Sequence, residues 1–278
     1  MILRAPAKLN LCLLVGERRE DGLHELCSLF EALSLADRIV VEEAARDEVV
    51  CAGVEDTNLA AIALAALRGR GWERPPLRVE IEKRIPIAAG LGGGSADAAA
   101  LLRLAAPEVD GVSELAALLG SDIPSQLDPG LAVVSGVGEV VEPLPPPSEH
   151  AFVLIPDPAG LSTAEVYAEA DRLGIGRPPE ELGAARERLL ELAGEGASPL
   201  DYADRLVNEL EPAALSLRPS ISEALDALRE VGARAALVTG SGPTTFGLFA
   251  DIVEADSAAA ALPPRYAGAM VASPASFG

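Results

Sequence analysis

Lysine is almost absent from this chain of 278 residues, which has only Lys8 and Lys83 against twenty arginines. Basic residues are outnumbered as a group, with 22 lysines and arginines against 43 aspartates and glutamates and a formal net charge of -21. So acidic a chain argues against nucleic acid or anionic membranes as partners and favours a soluble, self-repelling surface. Binding of an anionic nucleotide would require positive potential supplied locally.

Cysteines and long apolar runs are also scarce. The three cysteines, Cys12, Cys27 and Cys51, have no metal-ligand spacing, and their odd number does not suggest a disulfide framework. No uncharged apolar run approaches the ~18 residues of a membrane span. Lys8 and Asn10 stand where a signal peptide would need an apolar core. We therefore expect a protein of the reducing cytoplasm that is neither exported nor membrane-spanning.

Glycine, by contrast, is dense between Ile85 and Ala100, where the loop IPIAAGLGGG runs into the alanine-rich segment SADAAA. Glycines let the backbone take positive φ and approach a bulky anion closely. The unpaired N–H groups at a helix start favour a phosphate even without a basic side chain, and Ser95 is predicted to cap that helix. Neither a Walker motif nor a Rossmann loop fits the spacing. The stretch therefore predicts a phosphate cradle, with a tight turn before a buried helix as the alternative.

Three further stretches have polar groups at suggestive positions. Lys8 and Asn10 lie two apart on a predicted strand and point to one face, either towards one ligand or as an ordinary exposed pair. Asp122 lies just past a predicted helix end at Gly120, where the helix dipole disfavours it, although such an aspartate is often only part of a turn. The segment 239–245, TGSGPTT, is a glycine turn between predicted strands, and a plain hairpin is the alternative.

In their order along the chain, these stretches resemble the GHMP small-molecule kinases, a family that includes galactokinase, homoserine kinase and mevalonate kinase. A narrower resemblance, to the GHMP kinases of non-mevalonate isoprenoid synthesis, is carried by PAKLNL at residues 6–11, RREDGLHEL at 18–26 and the glycine loop. The GLHEL part is the most specific piece, because other GHMP kinases lack it. The resemblance implies ATP-dependent phosphorylation, assisted by Mg²⁺, of the 2-hydroxyl of a methylerythritol linked to cytidine diphosphate.

The resemblance also implies roles for individual residues. Asp122 would orient or deprotonate the attacking hydroxyl, with Lys8 beside it to neutralise charge on the transferring phosphoryl group. The predicted nucleotide-binding residues are Pro86, Ala89, Gly90, Leu91, Gly92, Gly93, Gly94, Ser95, Ala96 and Asn58, and Ser95 is also the candidate Mg²⁺ ligand. The predicted substrate-binding residues are Asn10, Leu23, His24, Thr163, Gly240 and Ser241.

Alternatives stay open for two of these residues, and a third departs from the family pattern. Asn58 could instead be a helix-capping residue, next to Asp56 or Thr57, and Thr163 could belong to a helix cap. At Leu23 the family has an aromatic ring that stacks on cytosine. Because base stacking is worth ~1–3 kcal/mol, leucine should weaken base binding without abolishing it, and another residue would have to supply the ring.

The expected fold class is α+β, with the two domains of the GHMP kinase fold. Residues 1–148 would form an ATP-binding domain like the second domain of ribosomal protein S5, and residues 149–278 a ferredoxin-like domain with helices on one face of its sheet. The boundary is placed in the proline-rich segment 142–149, and the active site between the domains. We expect a monomer or weak homodimer that binds a small-molecule substrate.

Three other readings compete with this one. The first is another GHMP kinase, acting on homoserine, mevalonate or a sugar; Leu23 favours it and His24 opposes it. The second is a non-catalytic protein that senses a nucleotide or metabolite on the same fold. The third is a structural α/β protein whose glycine turns are accidental.

Overall fold

Two β-sheets carry the fold, which the computed structural model describes for residues 1–54, 58–157 and 159–276. The first sheet consists of β1 (Ile2–Arg18), β2 (His24–Glu43), β3 (Glu48–Cys51), β4 (Leu77–Glu82), β5 (Leu131–Gly136) and β6 (Val140–Pro143). The second consists of β7 (Ala151–Ile155), β8 (Ala236–Val238), β9 (Thr245–Phe249) and β10 (Met270–Ala272). The helices are α1 (Leu59–Gly69), α2 (Gly93–Ala105), α3 (Val112–Leu119), α4 (Thr163–Leu173), α5 (Pro179–Ala193), α6 (Glu211–Leu217), α7 (Ile221–Glu230) and α8 (Ile252–Ala261).

The long strand β2 organises the first sheet. It pairs with β1 on one side, and on the other with β5 near its start and β4 near its end, giving the order β3-β4-β2-β5-β6 with β1 alongside β2. All of these pairs are antiparallel except β3 with β4. Helices α1 and α2 pack on one face, where four alanines of α2 (96, 98, 99 and 100) are at most 1% exposed. Such small side chains bring the start of α2, and the loop before it, close to the sheet.

A β-bulge divides β1 into two parts that face different ways. Between Asn10 and Cys12 the strand contains one residue more than the facing part of β2, so Leu11 is the extra residue. Because side chains alternate along a strand, an extra residue moves every later side chain to the opposite face. Cys12 and Leu14 therefore join the apolar core, whereas Lys8 and Asn10 lie on the opposite face of the sheet.

The second sheet has the order β10-β7-β9-β8, which is the β-α-β-β-α-β arrangement of a ferredoxin-like domain. Alternate residues of β7 enter different cores. Val153 packs with α7 and α8, whereas Phe152 and Leu154 pack against Leu9 of β1 and Leu189 of α5. The helices α7 and α8 thus lie on one face of this sheet, as predicted, and its other face shares a core with the first sheet.

The predicted fold class, α+β with the two GHMP kinase domains, is confirmed. The boundary predicted between residues 148 and 149 lies between β6 and β7, but as a division into two separate units it stays a prediction, because one apolar core spans both sheets.

No helix within the described ranges is both long enough and apolar enough to cross a membrane.

Candidate active site

The glycine loop lines a cavity of about 320 Å³ at the start of α2. All of the predicted nucleotide-binding residues line this cavity except Ala96, which is fully buried behind it. The prediction that Ser95 caps the helix is wrong. Gly92 is the cap residue and no side chain caps the helix, because the left-handed Gly92 (φ +69°) turns the chain so that Ser95 falls within the first turn. Among the described residues, no side chain competes as a cap at the first N–H groups of α2, as a phosphate cradle requires.

The alternative that Asn58 caps a helix is confirmed. Its side-chain oxygen accepts a hydrogen bond of 2.8 Å from the N–H of Ala60 and caps α1, and the residue also lines the cavity of the glycine loop. The alternative caps, Asp56 and Thr57, lie outside the described residues. The contact of Asn58 with a base stays a prediction.

Two glycines of the loop are needed for close approach. A Cβ on Gly92 would lie 2.8 Å from Cγ of Lys8, and a Cβ on Gly90 would lie 2.8 Å from the carbonyl oxygen of Gly242. Real Cβ atoms essentially never approach other heavy atoms within 3.0 Å. Both glycines also have positive φ, which favours glycine at these positions. The loop can therefore pack directly against β1 on one side and the turn of residues 239–245 on the other.

Lys8 and Asp122, far apart in sequence, meet beside the glycine loop. The Nζ of Lys8 lies 3.5 Å from Oδ2 of Asp122, with the lysine side chain 7% exposed and the aspartate 34% exposed. Asp122 follows α3, which ends at Gly120 as predicted. A nearly buried ammonium therefore faces a carboxylate that solvent or a substrate can still reach.

A chain of hydrogen bonds fixes the position of Lys8. Its Nζ donates to Oδ1 of Asn10 at 2.6 Å, and Nδ2 of Asn10 donates to Ser28 Oγ at 2.8 Å. The N–H of Asn10 donates to Oγ1 of Thr239 at 2.9 Å, which ties β1 to the turn of residues 239–245. The Phe30 ring centroid lies 4.9 Å from the same Nζ. Lys8 and Asn10 are thus a buried, restrained pair and not an ordinary exposed one.

The turn of residues 239–245 brings Gly240 and Ser241 to this site. A Cβ on Gly240 would lie 3.1 Å from Oδ1 of Asn10. The hydroxyls of Ser241 and Thr163 are 2.9 Å apart, and the neighbouring Ser162 is the cap of α4. The turn is therefore part of the site and more than a plain hairpin.

Asn208 holds this turn in place, a role that its sequence context did not reveal. Its Nδ2 donates to the carbonyl oxygens of Val238 at 2.7 Å and of Gly240 at 2.8 Å, and its Oδ1 accepts from the N–H of Leu210. The residue is buried. Nothing in the neighbouring sequence shows which distant carbonyls a buried amide will meet.

A second cavity, of about 740 Å³, is lined by Leu23, His24, Ser121, Thr163 and Tyr167, among others. The Nδ1 of His24 donates to the carbonyl oxygen of Gly16 at 2.9 Å, and its Nε2 lies 3.4 Å from Oδ1 of Asp171. Leu23 is 52% exposed at the cavity rim. The residues predicted for the cytidine end of the substrate are therefore gathered around one space.

Tyr167 supplies an aromatic ring in this cavity. Its ring centroid lies 5.1 Å from that of His24, with the two planes tilted by 35°. Burial, and next the charge of Asp122, raises the pKa of the Tyr167 phenol to about 12, so the hydroxyl stays protonated at neutral pH. The contact between Tyr167 and His24 depends on how α4 packs near the start of β2.

The other lysine, Lys83, is held beneath the loop by two buried aspartates. Its Nζ donates to Oδ2 of Asp37 at 2.5 Å and to Oδ2 of Asp97 at 2.8 Å. Asp37 also accepts from the backbone N–H groups of Arg84 and Ile85, just before the loop begins. Burial raises the pKa of Asp97 to about 7, against the lowering effect of the nearby ammonium. Two carboxylates thus neutralise the positive charge of Lys83. The positive potential of the site therefore comes from Lys8 and from the N–H groups at the start of α2.

Two separate cavities, with an ammonium and a carboxylate beside them, are the arrangement expected of a small-molecule phosphotransferase. The chain matches a family of such enzymes in both of its halves. Residues 58–124 match the GHMP kinases N terminal domain, and residues 182–268 match the GHMP kinases C terminal domain. A crystal structure of homoserine kinase from Cytophaga hutchinsonii, at 17% identity, has the same fold, with a TM-score of 0.70 over 99% of this chain and 94% of that one. The protein is an enzyme of the GHMP kinase class.

More similar relatives narrow this assignment. The 4-diphosphocytidyl-2-C-methyl-D-erythritol kinase of Streptomyces avermitilis is 41% identical over 274 residues, which cover 93% of this chain and 91% of the relative. That of Streptomyces coelicolor is 42% identical over 273 residues, with the same shares covered. A crystal structure of 4-(cytidine 5'-diphospho)-2C-methyl-D-erythritol kinase matches with a TM-score of 0.79 and 37% identity over the full length of both chains. The chain belongs to the family of 4-diphosphocytidyl-2-C-methyl-D-erythritol kinases, which confirms the resemblance noted in its sequence.

Proposed function

We propose that the protein transfers the γ-phosphoryl group of ATP to the 2-hydroxyl of 4-diphosphocytidyl-2-C-methyl-D-erythritol. The observation that carries the proposal is the position of the Lys8 and Asp122 pair between two cavities. Gly92, in the lining of the smaller cavity, packs on Lys8, and Ser121, in the lining of the larger, precedes Asp122. A phosphoryl donor in the first cavity and an acceptor in the second would meet at this pair.

The pair has the charges that phosphoryl transfer needs. The Asp122 carboxylate accepts a hydrogen bond from the acceptor hydroxyl and orients its oxygen towards the phosphorus. It receives the hydroxyl proton as the new P–O bond forms and the bond from the γ-phosphorus to the bridging oxygen breaks, which releases ADP. The Lys8 ammonium lies 3.5 Å from this carboxylate and stabilises negative charge on the transferring group. Because Asn10 restrains Lys8, the ammonium is in position before the reaction begins. The protein contributes position and charge, which are the main requirements of phosphoryl transfer.

The larger cavity supports a cytidine-containing acceptor. Tyr167 and His24 present two rings to it, so a flat base has an aromatic surface although residue 23 is a leucine. Tyr167 supplies the stacking surface, and the half-exposed Leu23 covers the base from the rim. The hydroxyls of Thr163 and Ser241 lie between this cavity and the Lys8 site and contact the acceptor nearer its reacting end.

The nucleotide and Mg²⁺ belong to the smaller cavity. The N–H groups at the start of α2 bind the phosphates, and Asn58 contacts the adenine base. Ser95, in the lining of this cavity, would supply a hydroxyl oxygen to Mg²⁺, an ion that retains several waters and takes few protein ligands. In the described part of the chain, no group of three or more histidine, cysteine, aspartate or glutamate side chains could hold a metal. The metal would supply additional charge neutralisation on the phosphates.

The test is a coupled ADP-release assay with Mg-ATP and 4-diphosphocytidyl-2-C-methyl-D-erythritol, run beside homoserine, mevalonate and galactose. We expect turnover with the cytidyl substrate alone. Asp122→Asn should lower kcat by ~100-fold or more, because a positioned proton acceptor contributes ~10²–10⁴-fold. ATP affinity, measured by calorimetry, should stay almost unchanged in that variant.

Asp128→Asn is the matched control, since it removes the same charge from an exposed position six residues further along the chain. It should keep the native kcat. Comparable turnover on another alcohol would reject the cytidyl assignment while keeping the kinase reaction. Native turnover by Asp122→Asn would reject the role of Asp122.

A further inference from the structure

A third cavity, of about 470 Å³, lies between β1, α5 and the segment that leads to Val207. Its volume is within the ~300–1,000 Å³ typical of small-molecule sites. Cys12 and Leu14, which follow the bulge of β1, line it, so it lies on the opposite face of that strand from Lys8 and Asn10. The cavity is therefore separate from the proposed donor and acceptor cavities.

The lining of this third cavity is apolar with a basic rim. Its uncharged part consists of Cys12, Leu14, Ala185, Leu189, Leu192 and Val207. Arg177, Arg188 and Arg205 supply three positive charges, and Glu191 a single negative one. This excess of arginine contrasts with the net charge of -21 of the whole chain.

Two of these arginines have no protein partner in the part of the chain that the structure describes. There, each of the other eighteen arginines has an ion pair with a carboxylate or a hydrogen bond to a carbonyl oxygen. Arg177, for example, pairs with Glu209 at 2.7 Å. Arg188 and Arg205 make neither kind of contact, and both line this one cavity. Arg188 and Arg205 are both exposed, and without a partner among the described residues their guanidinium groups can bind an anion at this one place.

We propose that this cavity binds an amphipathic anion, a small molecule with an apolar chain and a phosphate or carboxylate at one end. The apolar chain packs on Leu14, Leu189 and Val207, and the anionic end is bound by Arg188 and Arg205. Guanidinium groups suit this role because they bind phosphate and carboxylate oxygens in a bidentate manner. Tight binding requires both parts of such a ligand. The apolar wall of the cavity binds the ligand's apolar chain, and the arginines fix the position of its anionic end.

The experiment is a calorimetric titration of the full-length protein with octyl phosphate, octanol and inorganic phosphate, at concentrations below micelle formation. A saturating non-hydrolysable ATP analogue with Mg²⁺ is present throughout, so that the phosphate cradle is occupied. We expect saturable binding of octyl phosphate, at least tenfold tighter than that of octanol or phosphate. The double variant Arg188→Gln with Arg205→Gln should lose at least tenfold in affinity.

Two sets of matched control variants test whether a loss of binding arises in this cavity and not from a change in net charge or a folding defect. Arg46→Gln with Arg229→Gln removes two charges from exposed surface arginines and should bind octyl phosphate as the native protein does. Val207→Glu, at a position 41% exposed on the cavity wall, should abolish binding, whereas Val253→Glu, 70% exposed on α8, should not. Native thermal unfolding and native turnover of all these variants would show that they are folded.

Three results would overturn the proposal. The first is the absence of saturable binding of octyl phosphate. The second is equal binding by the native protein and the Arg188 and Arg205 double variant. The third is binding of inorganic phosphate as tight as that of octyl phosphate, which would show that the apolar wall takes no part.

Discussion

Replacing Gly92 by alanine tests whether the glycine loop sets the position of Lys8. Two effects combine at this residue. The first is backbone strain, since a non-glycine residue in the left-handed region costs roughly 1–2 kcal/mol. The second is a collision, because the new Cβ would lie 2.8 Å from Cγ of Lys8 and 3.3 Å from its Cε.

The size of the collision follows from ordinary contact distances. Carbon atoms pack at about 3.5–4.0 Å, so the Lys8 side chain would have to withdraw by roughly 0.7 Å. It has little room to do so, because it is nearly buried and its Nζ is held by Asn10 at 2.6 Å. A misplacement of ~1 Å at a reacting centre can cost ~100-fold in rate. We therefore expect Gly92→Ala to lower kcat by about 10–100-fold and the free energy of unfolding by roughly 1–3 kcal/mol.

The control is Gly71→Ala, which imposes the strain without the collision. Gly71 has φ +84° and a Cβ there would meet no heavy atom within 4 Å. Urea unfolding should show a loss of about 1–2 kcal/mol for this variant, with native kcat. If Gly92→Ala lost stability to the same extent and kept native kcat, Lys8 would not be positioned by the loop.

Three other predictions concern separate parts of the molecule. Tyr167→Leu should raise the KM for the cytidyl substrate by about 5–150-fold in steady-state assays, the equivalent of ~1–3 kcal/mol of stacking. The KM for ATP should stay unchanged. An unchanged KM for the cytidyl substrate would show that the base does not stack on this ring. Asp37→Ala should lower the free energy of unfolding in urea by about 3–5 kcal/mol, because it leaves the Lys83 ammonium short of a buried partner; a loss below about 1 kcal/mol would count against that view. His150, buried beside Glu31 at 3.0 Å, has its pKa lowered by burial but raised more by that carboxylate, for a net upward shift from 6.5. Burial raises the pKa of Glu31 as well, so this stabilisation requires a pH at which Glu31 is ionised. Within that range it is complete below pH 6.5 and is lost as pH rises through the raised pKa of His150, so the urea midpoint should fall as pH rises in the native protein and stay flatter in His150→Gln.

The features that could be predicted from the sequence are those that depend on neighbouring residues. The glycine loop, the helix end at Gly120 and the strand holding Lys8 and Asn10 follow from neighbouring residues, through positive φ, capping and side-chain alternation. The fold class and domain order followed from the resemblance, since the motifs occur in the family's order. The wrong prediction, that Ser95 caps α2, arose because a side-chain cap is the usual way to begin a helix, and the left-handed Gly92 replaces it here.

The remaining features depend on contacts between distant segments. Tyr167 meets His24 only because α4 packs beside the start of β2, and Asn208 reaches the carbonyl of Gly240 only because two loops converge. The pairing of Lys83 with two aspartates likewise joins three elements. Residue types and spacing show that such groups exist, but packing of whole elements decides which of them meet.

The bulge at Leu11 has a consequence for how this chain can change in length. Deletion of Leu11 would remove the extra residue and leave Asn10 opposite Phe30 and Cys12 opposite Leu29, so the later side chains would keep their faces. Deletion of Leu13, which lies beyond the bulge, would instead move Leu14 out of the apolar core and onto the face that carries Lys8. The bulge is therefore the point at which the first strand can lose a residue, at the cost of the buried Leu11 side chain, without exchanging its two faces.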